Sequence, residues 1–155
     1  MRRLITLLGV LLVLGLCSGC LTRLRADVLP DANLSKDYSY YVQHRFGDER
    51  GIDVVLRDQL RRWGRQAESG ERESMPDDTD VLVTYEDIWT WDFTMFMVSL
   101  DVKFRDPENE AVLASARSTR GSLARKSAEF MANETIEAIF QKGDPNEAPP
   151  PPLEE

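Results

Sequence analysis

Histidine and cysteine are nearly missing from this chain, and both shortages exclude chemistry. One histidine, His44, stands in 155 residues. Any His-based triad has to run through it, and no G-x-S-x-G elbow accompanies it. Cysteine is confined to Cys17 and Cys20. Two thiols without a nearby histidine fall short of a four-ligand zinc site. A disulfide across two intervening residues closes too small a loop to stabilise a fold much. The chain also lacks G-x-x-x-x-G-K-S/T and G-x-G-x-x-G, so nothing in it reads as a nucleotide cradle. Basic charge is in deficit, with 19 Lys and Arg against 27 Asp and Glu, for a net charge of −8. Such a body is repelled from nucleic acid and from anionic lipid. No catalytic and no metal-ligating residue is assigned on these grounds.

A long apolar run is missing too. The longest, residues 4–16, is broken only by Thr6. As a helix it spans about 20 Å, short of the ~20 residues that cross a bilayer core. Arg2 and Arg3 precede it, and Cys17, Ser18 and Gly19 follow it. A charged start, an apolar middle and a small-residue end make a secretory signal, predicted here over residues 1–19. In that position the C-x-x-C spacing is part of a processing signal and not a redox site.

The stretch Cys17-Ser18-Gly19-Cys20 resembles the bacterial lipoprotein lipobox, in which small residues precede the cysteine that is lipidated. Ser18 and Gly19 fit its last two positions; Cys17 stands where leucine is usual. The resemblance implies cleavage between Gly19 and Cys20, with S-diacylglycerol and an N-acyl chain on Cys20 and no other cofactor. Two or more acyl chains hold a protein stably on a membrane, where one does not. Leu21 in place of Asp implies sorting to the outer membrane, on its periplasmic side, if the source is Gram-negative.

The remainder divides by composition. Residues 20–35 are polar, contain Pro30, and read as a lipidated tether reaching at most about 50 Å. Residues 144–155 (DPNEAPPPPLEE) favour polyproline II and cannot bury a core, so they read as a disordered tail. Residues 36–143 are long enough for one domain. Within them, 36–46 is predicted as a strand. Ile52, Val55, Leu56, Leu60 and Trp63 then share a helical face, closed by Gly64 in a left-handed conformation. A short extended piece falls near 65–70. Residues 80–91 and 95–105 are predicted strands, and in the second Phe96, Val98, Leu100, Val102 and Phe104 occupy one face. A turn at 106–109 leads to a third strand over 111–120. Ser127 caps a last helix through Gly143, on which Met131, Ala132, Thr135, Ile136 and Ile139 line one side. The resulting order, β-α-β-β-β-α, defines an α+β domain: a single mostly antiparallel sheet with two helices packed on one face.

One stretch exceeds what a two-sided sheet can bury. In 85–97 (YEDIWTWDFTMFM), Trp89, Trp91, Phe93, Met95 and Met97 share one parity, while Ile88 and Phe96 share the other. Either a bulge near 91–94 flips the phase, or one side is an exposed patch contacting a protein partner or lipid headgroups. Asp87 and Trp89 share a face, so a carboxylate beside an aromatic ring is also on offer. A small envelope hydrolase or sugar-binding protein using Asp87 and Asp92 beside Trp89 and Trp91 is the alternative to a binding protein. The run at 80–92 (DVLVTYEDIWTWD), the 106–107 turn and the Ser-containing segment before the last helix are similar to small proteobacterial lipoproteins. The element order resembles the α/β sandwich of outer-membrane accessory lipoproteins of lipopolysaccharide assembly and lipid transport. Together these imply a non-enzymatic, membrane-anchored protein with an envelope partner and leave its oligomeric state open.

Overall fold

A computed structural model describes residues 22–152. The signal segment, the cleavage position and Cys20 lie outside the described residues. Six strands form one sheet: β1 (Thr22–Val28), β2 (Ser39–Gln43), β3 (Gln66–Gly70), β4 (Val81–Asp92), β5 (Thr94–Arg105) and β6 (Val112–Arg120). Two helices, α1 (Ile52–Arg62) and α2 (Ala128–Gly143), complete the fold. The spatial order is β1-β6-β5-β4-β2-β3. The β1-β6-β5-β4 side is antiparallel, and β2 lies parallel to both β3 and β4. The α+β class with two helices on a mostly antiparallel sheet is therefore the observed one.

Both helices start and stop on local chemistry. The Asp48 carboxylate accepts the N–H groups of Arg50, Gly51 and Ile52, which otherwise lack partners at the start of α1. Gly64, at φ 73°, closes α1 as its pattern predicts. Its N–H reaches the Arg61 carbonyl and that of Arg65 reaches the Leu60 carbonyl, which together make a Schellman motif. The Ser127 hydroxyl caps α2 by accepting from the Phe130 N–H.

A single core lies between the helices and one sheet face. Val81, Val83, Tyr85, Leu100, Val102 and Phe104 supply its sheet side, and Leu56, Leu60, Met131, Ile136 and Ile139 its helix side. Phe140 of α2 sits among Tyr40, Trp63 and Phe104, with ring centroids 5.3–6.2 Å away. On β6 the core positions are Ala114 and Ala116, small enough to let α2 approach the sheet. The opposite face is polar over much of its area and carries the pairs Asp101–Arg117 and Glu86–Lys103. Where β2 and β4 would leave that face apolar, at Tyr41 and Leu82, both side chains are buried. The Tyr41 hydroxyl donates to the Glu71 carbonyl, so the β3–β4 connection crosses here.

Three expectations change. Residues 20–35 are not a tether throughout, because Thr22–Val28 pairs with β6 along its whole length. The segment after Gly143 folds back onto the domain: Glu147 lies 2.9 Å from Arg65, and the Pro151 carbonyl accepts from Arg62 at 2.6 Å. The phase change in the aromatic stretch is not at 91–94. It falls where Ile88 pairs with Ser99 and Trp89 with Met97, leaving Val98 as the extra residue. Met97 consequently turns into the core, and Phe96 to the other face, away from Leu100, Val102 and Phe104.

Candidate functional site

The feature that needs explaining is the far end of the β4–β5 hairpin. Pairing continues to Asp92 and Thr94, so the turn is made around Phe93 alone. Phe93 adopts φ 58°. This left-handed region is an outlier for a bulky side chain and costs of the order of 1–3 kcal/mol for a non-glycine residue. Nothing among the described residues offsets that cost by packing, since Phe93 is 91% exposed. Trp91 and Met95, cross-strand partners just behind it, are 69% and 47% exposed. They share the parity of the core-facing residues yet lie outside the core. Ile88 is exposed on the other face.

The five aromatic and methionine candidates thus divide. Trp91, Phe93 and Met95 form the exposed tip. Met97 is core, and Trp89 is half-buried against it. The Trp89 indole donates to Asp87 Oδ2 at 2.6 Å, and the Arg50 guanidinium lies 4.6 Å from its ring centre.

Arg125 fixes the tip from the side. It donates to Thr94 Oγ1, to the Asp92 carbonyl and to Asp92 Oδ2, at 2.8–2.9 Å. Its guanidinium also lies 4.4 Å from the Phe96 ring centre. Residues 121–127 are thereby pinned to the hairpin turn, and they carry another exposed apolar side chain, Leu123. In the sequence Leu123 has no periodic partner to mark it. Its one signal was a leucine isolated within the polar run GSLARKS.

The alternative pair of carboxylates is already engaged. Asp87 is buried and accepts from Arg45 at 2.6 Å as well as from Trp89. Asp92 is held by Arg125. An odd and an even position of one strand point to opposite faces, so Asp87 and Asp92 do not converge.

A second polar cluster joins His44, Asp48 and Asp53, the only such group close enough to hold a cation among the described residues. His44 Nδ1 lies 3.2 Å from Asp53 Oδ1. Asp48 has little left to offer an ion, since it also accepts the Tyr85 hydroxyl at 2.6 Å besides three backbone N–H groups. Burial raises the pKa of the Asp48 carboxyl, but these hydrogen bonds outweigh it, and the net direction is downward. Burial and the adjacent Asp48 push the Tyr85 hydroxyl well above its ordinary value. Burial likewise pushes Tyr40 up to about 12, with Arg65 pulling the other way. The cluster is a helix cap with a histidine beside it.

The architecture, an open six-stranded sheet with two helices on one face, recurs in solved structures. A PelC dodecamer from Paraburkholderia phytofirmans matches with TM-score 0.54 and 16% identity, over 76% of this chain and 94% of that one. A PDZ domain protein from Parabacteroides distasonis matches with TM-score 0.51 and 9% identity, over 84% of this chain but only 37% of that one. At such identities the likeness is one of fold. No family model matches the sequence, and no curated protein matches it.

Proposed function

We propose that this chain is a lipid-anchored envelope lipoprotein with a non-enzymatic binding or scaffolding role at the periplasmic face of the outer membrane. The observation that carries the reading is the exposed, strained tip of Trp91, Phe93 and Met95, a surface suited to contact and not to catalysis. The leader and lipobox supply the route: export, cleavage before Cys20, and acylation of that cysteine. Support also comes from the carboxylates, which are consumed by Arg45, Trp89 and Arg125.

Cys20→Ala in the full-length chain tests the anchor. The wild type should pellet with membranes and carry the mass of a diacylglycerol and an acyl chain. The alanine chain should lack that mass and leave the membrane fraction. An alanine chain that stays with the membrane to the wild-type extent overturns the reading.

A further inference from the structure

The position of β1 fixes how an anchored chain would sit. Thr22 pairs with Arg120, one step past Thr119, which is the partner of Ser99. The N-terminal end of β1 therefore lies at the same end of the sheet as the β4–β5 tip. From the level of Thr22 the hairpin runs on by about four residues to Phe93, an overhang of roughly 13 Å at ~3.3 Å per residue. Cys20 precedes Thr22 by two residues, a reach of only about 7 Å. A cysteine held at a bilayer surface on so short a lead brings the overhanging tip to the lipid.

Charge is arranged to allow that contact. The chain holds 27 acidic residues, yet residues 88–97 and 121–127 contain only one, Asp92. Arg125 neutralises it at 2.9 Å. Together the two segments hold Asp92, Arg125 and Lys126, so they lack the acidic surplus by which the rest of the protein is repelled from anionic headgroups. Trp91, Phe93, Met95 and Leu123 are exposed there, as is Ile88 on the other sheet face. Indole and other aromatic rings favour the headgroup zone, where one part of the ring is apolar and another meets water.

We propose that this end of the sheet is the membrane-facing end, with Trp91, Phe93, Met95 and Leu123 seated among the headgroups of the bilayer that holds the Cys20 acyl chains. The proposal rests on the lipid-anchor reading and adds an orientation and a lipid contact to it. It also accounts for a strained phenylalanine at a turn that glycine would make freely: the ring is placed for the bilayer.

The test uses the purified lipidated full-length chain in vesicles of phosphatidylethanolamine and phosphatidylglycerol, part of the lipid brominated at shallow acyl positions. Trp63 is buried and Trp89 half-buried, so the difference between wild type and Trp91→Phe isolates the emission of Trp91. That emission should shift to the blue, be quenched by the brominated lipid and lose its sensitivity to aqueous acrylamide. Intact mass and flotation of the same sample report acylation and membrane attachment separately. An acylated, vesicle-bound chain whose Trp91 stays unquenched and open to acrylamide overturns the orientation alone. So does one whose Trp91 is shielded from acrylamide without lipid quenching, which would show protein covering the tip. A chain without acyl mass overturns the anchor and this orientation with it.

Discussion

Asp48 is a polar residue whose loss the fold should feel, because one carboxylate serves three backbone donors and a tyrosine hydroxyl. Asp48→Asn should lower stability at neutral pH by about 1–2 kcal/mol, the usual scale for a lost cap. Its pKa lies lower in the folded than in the unfolded chain. The stability it contributes is therefore full above the ordinary carboxylate range and drains away as pH falls through the folded value. Denaturant melts across acid pH should show a shallower decline for the asparagine chain. Phe93→Gly should do the reverse for stability. Glycine adopts positive φ freely, and relief of the strained turn should leave stability unchanged or raise it by about 1 kcal/mol. A marked loss on this change would mean that the ring packs within the chain. That Phe93 sits in a left-handed turn could not be read from YEDIWTWDFTMFM, since Asp92 is a turn former but neither glycine nor asparagine stands there to mark a positive φ. Only the register of the two strands places it.

At the scale of elements, helices were the most legible because each carries its own boundary chemistry: Gly64 and Ser127 both do what their positions predict. Strands β4 and β5 were legible from alternation and β6 from the turn before it, to within a residue or two. β1 was not. Arg23–Val28 alternates polar and apolar residues, but the run is short, its Leu24 is exposed and only Ala26 and Val28 reach the core, so beside Pro30 it reads as a tether. What makes it a strand is a long-range partner, β6, and no local propensity reports that. The bulge at Val98 was anticipated in kind but misplaced, because valine at an extra position resembles valine in a regular one. The same element yields a prediction. A chain trimmed of residues 22–28 would leave β6 as the sheet edge, with unpaired backbone groups facing water. Such edges promote association, so the trimmed chain should elute as larger species than the chain beginning at Thr22 in size-exclusion chromatography. Equal, monomer-sized elution of the two would show that β1 protects nothing.

For the whole molecule, the informative property is segregation. The acidic surplus, the open polar face and the helix layer belong to the body, whereas Trp91, Phe93, Met95 and Leu123 gather at one end, with only Leu29 and Val112 of the large apolar side chains exposed at the opposite end among the described residues. Composition announced the acidic surplus and the aromatic excess, but only the sheet order brought Thr22, the hairpin and Leu123 together. That order also sets a sequence of events. On the proposed export route, Cys20 is processed and acylated as the leading part of the chain emerges, and β1 follows it at once. Its partner strand is separated from it by almost the entire domain, from Thr22 to Arg120. Closing so long a loop is slow compared with the local steps of helix and hairpin formation. On that route the strand nearest the anchor would wait unpaired until β6 has arrived, and its docking would close that edge of the sheet.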